Sequence, residues 1–185
     1  MLKIKSMKEK AKIYTWKCVA FELEGKNWEY ASIFKWEFNS IWWTVSVAVD
    51  KKWNIVLIKN YRHGIDDLSY EMVRWGLEAK LTVEENALKE FKEETWITEK
   101  PIEIKKLAKL NQDTWVLWNY ISYVLLEFDD LTKFDVYGKK DGSYEEIYEV
   151  KLVSLNEFEN MIKNGDIVDA CTISAYWLLK AFGKI

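Results

Sequence analysis

The stretch "KEFKEETW", residues 89–96, carries three carboxylates, Glu90, Glu93 and Glu94. Positions i, i+3 and i+4 share one face of a helix, so on a helix these side chains project together. Like charges so placed repel, by about a few tenths of a kcal/mol per exposed pair. A divalent cation turns that repulsion into affinity. Hard oxygen ligands select Mg²⁺ or Mn²⁺, ions that keep waters and bridge to substrate phosphates. The same spacing also describes a solvated acidic face, with Lys89 and Lys92 interleaved to neutralise it. Spacing alone leaves both readings open. No GxxxxGK[ST] or GxGxxG stretch is present, so phosphate binding would depend on metal and side chains. His63 is the only histidine, which removes a histidine-based metal cluster from consideration.

The carboxylates need a helix, and the sequence supplies one. Thr82 followed by Glu85 is a capping-box signature. Ala87, Leu88 and Phe91 then give an apolar stripe running to about Thr95. Upstream, "TVSVAVD" and "NIVLIKNY" read as strands joined by "KKW", a hairpin with Trp53 in its turn. Downstream, "PIEIKKLAKL", "NYISYVLLEF" and "IYEVKLVS" read as three more strands. "LNEFENMIKNG" is an amphipathic helix stopped by Gly165, and "DACTISAYWLLKAF" is a final helix. Alternating runs within residues 1–40 predict two or three antiparallel strands in a small N-terminal unit. Mixed strands with interspersed helices indicate an α/β sandwich rather than a purely parallel sheet.

The 185 residues suffice for one sizeable core. A net charge of -3 gives no basic footprint, which argues against nucleic-acid binding. No apolar stretch is long enough to cross a membrane, and the first residues lack the apolar stretch of a secretory signal. Cys18 and Cys171 make no metal or disulfide spacing, consistent with a reducing, cytoplasmic location.

Residues 70–97, "YEMVRWGLEAKLTVEENALKEFKEETWI", resemble the Nudix box, G-x5-E-x7-R-E-U-x-E-E-x-G-U with U bulky and apolar. In register, Glu90, Glu93, Glu94 and Ile97 match, and Phe91 fills a bulky position. Glu71, Glu78, Ala87 and Thr95 match the looser surroundings of members resembling ADP-ribose pyrophosphatases. The likeness extends more weakly over about residues 45–180. Four positions depart: Trp75 and Trp96 stand where the family has glycine, Leu81 replaces a glutamate, and Lys89 replaces the arginine. Lysine keeps the charge but loses the planar fork that holds a carboxylate bidentately.

The resemblance implies a Nudix-like α/β/α sandwich with a mixed sheet over residues 44–185. It also implies a small antiparallel β unit over residues 1–43, through which such proteins often form a homodimer. The activity implied is Mg²⁺-dependent cleavage of the pyrophosphate in a nucleoside diphosphate linked to another moiety, with ADP-ribose or a nucleotide sugar favoured. Glu90, Glu93 and Glu94 would hold Mg²⁺, with Mn²⁺ as a possible substitute. A glutamate from a late loop, Glu145 or Glu146 in "GSYEEIYEV", would complete the shell or act as base, with Glu149 the poorer positional match. Arg62 in "NYRHG" resembles a Tyr-Arg pair of this group, placed to contact substrate phosphate or to pair with Glu71. Arg74, beside the box, is placed to reach a phosphate or to form a salt bridge. The alternative is an impaired Nudix fold that binds a nucleotide without cleaving it.

Eleven tryptophans stand against seven glycines and one proline, an inversion of ordinary usage, in which glycine is about 7% of residues. A helix ending at Thr95 wants a left-handed residue next, which glycine supplies without steric cost. The turn at Trp53 makes the same demand. Trp42, Trp43, Trp115, Trp118 and Trp177 are further plausible glycine sites. Some bacterial lineages read UGA as glycine, and UGA differs from the glycine codon GGA by one base. The expectation is that many of these tryptophans are UGA codons whose native reading is glycine.

Overall fold

The computed structural model describes residues 4–13, 16–23, 29–35, 43–62, 65–114, 120–134 and 147–185. The chain separates into two compact units. One comprises Met1–Trp42 with Leu110–Ile121, the other Trp43–Lys109 with Ser122–Ile185.

In the first unit β1 (Ile4–Ile13), β2 (Trp16–Leu23) and β3 (Glu29–Lys35) form a three-stranded antiparallel sheet in sequence order. Met7 lies opposite Phe21, and Phe21 opposite Tyr30, so the alternating pattern of the sequence runs in register across the sheet.

The second unit is built on a mixed seven-stranded sheet. Its main path is β10 (Ile147–Val153), β5 (Ile55–Arg62), β4 (Trp43–Asp50), β9 (Ile121–Phe128) and β8 (Glu103–Leu110). Two short strands are added at the side. β6 (Asp67–Glu71) pairs with β5, and β7 (Arg74–Gly76) pairs with β4. Sequence patterning did not announce these two. At five and three residues they are too short for an alternation to register, and the ladders of β5 and β4 organise them.

β4 is central and buried throughout residues 44–50, which is why its polar members need partners inside the protein. Ser46 Oγ donates to the carbonyl of Ala87 at 2.8 Å, tying the strand to α1 (Val83–Thr95). Phe91 of α1 is fully buried and meets the Phe128 ring at 5.4 Å between centroids. α2 (Leu155–Asn164) and α3 (Ala170–Ala181) pack together through Phe158 and Tyr176, whose stacked rings are 5.5 Å apart. Thr172 of α3 accepts from the Met72 amide at 2.9 Å and so ties that helix to the segment between β6 and β7. No helix among the described residues is long and apolar enough to cross a membrane.

Both ends of α1 follow the sequence reading. Thr82 Oγ1 accepts from the Glu85 amide at 3.2 Å, while Glu85 Oε2 accepts from the Thr82 amide at 2.9 Å. The helix ends at Thr95, and Trp96 follows with φ 57°, its amide donating to the Lys92 carbonyl. Removing the cap by Thr82→Ala orphans a helix donor. It is expected to cost about 1 kcal/mol and lower Tm by roughly 2–4 °C in a chain of this size, read by thermal unfolding.

Candidate functional site

α1 is the element that positions the carboxylates, and it holds them in different environments. Glu90 is buried, Glu93 is exposed and Glu94 lies between. Burial pushes the Glu90 carboxyl above its ordinary range, and the neighbouring Glu93 and Glu78 charges push the same way; Lys89 opposes them.

Lys89 is the centre of the local charge arrangement. Its Nζ lies 2.8 Å from Glu78 Oε1, 2.8 Å from Glu93 Oε2 and 3.2 Å from Glu90 Oε1. Hydrogen bonds to Glu78 and Glu93 hold the ammonium firmly protonated. The lysine that replaces the box arginine therefore neutralises two of the three helix carboxylates and draws in a third from the preceding loop. Among the described residues, no group of three or more His, Cys, Asp or Glu side chains is arranged around one cation position. The donor chemistry nonetheless suits a hard divalent ion, since ionised carboxylates are acceptor-only oxygens. Glu90, poorly hydrated and raised by its acidic neighbours, is a charge that a cation would stabilise.

The loop carrying Glu78 is pinned by Asn86, a residue that sequence reasoning passed over. Asn86 is fully buried; its Oδ1 accepts from the Glu78 amide at 3.0 Å, and its Nδ2 donates to Thr44 Oγ1 at 2.7 Å and to the Gly76 carbonyl at 3.4 Å. One side chain thus joins α1, β4 and the β7 end. The available signal was an asparagine inside a helix on the same stripe as Val83, Ala87 and Phe91, where it must find polar partners.

Glu71, Arg62 and Arg74 form a second constellation. Glu71 is fully buried; Arg62 Nε donates to its Oε2 at 3.1 Å and an Arg62 terminal nitrogen pairs with Oε1. Arg74 lies 3.6 Å from Glu71 Oε2 and 3.3 Å from Asp169 Oδ1, and donates to Cys171 Sγ at 3.2 Å. Burial raises the Glu71 carboxyl despite both guanidinium groups. It also pushes the Cys171 thiol up to about 11. Of the two roles weighed for Arg62, pairing with Glu71 is present; Arg74 likewise bridges carboxylates on β6 and before α3.

Glu149 lies in β10, as its position in the sequence suggested, opposite Lys59, and accepts from Tyr70 Oη at 2.6 Å. Glu145, Glu146 and His63 fall outside the described residues. Trp75 sits in β7 opposite Thr44, 37% exposed, with a backbone that is not left-handed. Leu81 is half-buried in the turn before α1, where its amide donates to the Glu78 carbonyl at 3.3 Å.

No protein-family model matches this sequence, and no curated protein matches it. A search of solved structures finds similarity to a crystal structure of an ADP compounds hydrolase, with a TM-score of 0.71 at 16% identity over 100% of this chain and 97% of that one. What the likeness establishes is the fold: this chain has the Nudix-like α/β sandwich architecture that the box-like segment implied.

Proposed function

We propose that the protein is a divalent-metal-dependent hydrolase of the pyrophosphate bond in a nucleoside diphosphate linked to another moiety, with ADP-ribose or a nucleotide sugar as the favoured substrate. The observation that carries this is the placement of Glu90, Glu93 and Glu94 on one turn of α1, in a box-like segment. The fold is shared with a protein described as an ADP compounds hydrolase.

Glu90, Glu93 and Glu94 would hold Mg²⁺ or Mn²⁺. Such an ion neutralises charge on the diphosphate and lowers the pKa of attacking water. α1 carries all three carboxylates, and Asn86 pins the loop that carries Glu78. Lys89 lies within ion-pair distance of Glu90 and Glu93, so a bound cation would have to displace its ammonium. Glu145 or Glu146 would orient or deprotonate the water. Arg62 and Arg74, cationic residues grouped around Glu71, are the candidate phosphate contacts. The three-stranded N-terminal unit is the proposed pairing surface of a homodimer in the cytoplasm.

Because the Lys89 ammonium competes for the same oxygens, Lys89→Gln is expected to tighten Mn²⁺ binding about five- to tenfold, the scale of roughly 1 kcal/mol for an exposed charge pair. Titration followed by the Mn²⁺ electron paramagnetic resonance signal reads this directly; unchanged or weaker binding would count against the competition.

A second reading, nucleotide binding without turnover, is favoured by the same lysine, which satisfies carboxylates that a metal enzyme keeps for its ion. A substrate panel separates the two. Mg²⁺-dependent release of AMP from ADP-ribose supports the hydrolase. Calorimetric binding of ADP-ribose with no product supports the binding module.

A further inference from the structure

Four non-glycine residues have left-handed backbones among the described residues: Trp53 (φ 64°), Asp66 (φ 54°), Lys80 (φ 77°) and Trp96 (φ 57°). Aspartate adopts this region comparatively readily; lysine and tryptophan both carry the Cβ penalty there, and for a residue as bulky as tryptophan the conformation is an outlier. Two independent turns thus place tryptophan where its Cβ meets the following carbonyl.

Neither turn can relax without loss elsewhere. At 53, the β4–β5 hairpin is closed by the Trp53 amide on the Asp50 carbonyl at 2.9 Å and the Asp50 amide on the Asn54 carbonyl at 3.1 Å. The buried Asp50 carboxylate fixes the same loop, accepting from the Lys52 and Asn54 amides at 2.9 and 3.0 Å. This is a three-residue loop of the kind that calls for a left-handed third residue. At 96, the amide donates to the Lys92 carbonyl at 3.0 Å, and the next residue, Ile97, turns back into the core at 3% exposure. Opening the turn would expose Ile97. Trp96 is 39% exposed and lies outside the buried core.

The chain contains its own control. α2 ends in the same way, and there the left-handed residue is Gly165, φ 82°, with nothing within 4 Å of an added Cβ. The other tryptophans in view carry no such mark. Trp75 is in a regular strand, and Trp177 lies within α3, 61% exposed.

From these two turns we infer that positions 53 and 96 are glycine in the protein as its host makes it, through UGA codons read as glycine. The backbone, not composition, singles out these two positions. The reading is independent of the proposed activity.

The test compares the full chain with Trp53→Gly, Trp96→Gly and the double variant, with Trp53→Ala and Trp96→Ala as controls. Each glycine is expected to raise Tm by about 2–4 °C over the tryptophan chain, and each alanine to fall short of its glycine, because only glycine escapes the left-handed penalty. Alanine equal to glycine, or tryptophan as stable as either, overturns the inference. If the tryptophan chain does not fold, recovery of a cooperative transition in the double glycine variant supports it. If no variant folds, the mass of the native peptide 53–59 from the source cells decides. Glycine at 53 in that peptide supports the inference, and tryptophan overturns it.

Discussion

Glu93→Gln is expected to lower Mg²⁺-dependent AMP release from ADP-ribose by about 10³-fold or more, while leaving the fold intact. The two halves of that expectation come from different features. Glu93 is exposed on α1, and its ion pair with Lys89 is a surface pair, so losing the charge should change stability by no more than about 1 kcal/mol. Its effect on catalysis would be of another order. A divalent ion supplies several kcal/mol of charge stabilisation to a phosphoryl transition state, and each 1.36 kcal/mol is tenfold in rate. Glutamine matches the shape but offers a neutral oxygen and an amide donor that repels a cation. Rate measured across a Mg²⁺ titration, beside a thermal melt, reads both. A variant that melts normally and hydrolyses at the parent rate would sink the metal-ligand role. A parent chain that binds ADP-ribose without turning it over would instead favour the binding module.

Where the sequence was legible, a local rule carried the information. The capping box at Thr82 and Glu85 sets the start of α1 through two reciprocal hydrogen bonds, and the box-like spacing puts the carboxylates on its face. The stop at Thr95 was readable from the apolar stripe, which runs to about that residue, and from the register of the box-like segment, which sets a glycine position at 96. The run "TVSVAVD" announces a strand because Val45, Val47 and Val49 alternate with Thr44, Ser46 and Asp50; that both faces are buried shows only in the fold.

What was not legible depends on residues far apart in the chain. Asn86 acquires its role only when Thr44, Gly76 and Glu78 meet around it. Lys89 was visible as a departure from the box, but its hold on Glu78, Glu90 and Glu93 is a matter of side-chain geometry. β6 and β7 exist because neighbouring ladders offer them partners. The Glu71 cluster draws on β5, β6, β7 and the start of α3, and no spacing rule links those segments.

That cluster gives the second large effect. Arg62→Ala is expected to destabilise the chain by about 3–5 kcal/mol near neutral pH, because it leaves a fully buried carboxylate without its main partner. The loss should depend on pH in a defined direction. Burial already holds the folded-state value of Glu71 above its ordinary one, so the folded chain keeps that proton longer than the unfolded chain does. The stability this contributes is complete below the unfolded value, about 4.3. It is lost as pH rises through the folded value. Removing Arg62 takes away a charge that opposes the rise, which moves the folded value higher and extends the window upward. The Arg62→Ala penalty should therefore shrink toward acid pH, where Glu71 is neutral, and grow toward neutrality. Glu71→Gln in the Arg62→Ala background should recover most of the loss, since a neutral amide no longer needs the guanidinium. Urea unfolding of the four chains of this cycle at several pH values measures each term. A penalty independent of pH, or one that Glu71→Gln does not relieve, would mean that Arg62 acts through packing rather than through the buried charge.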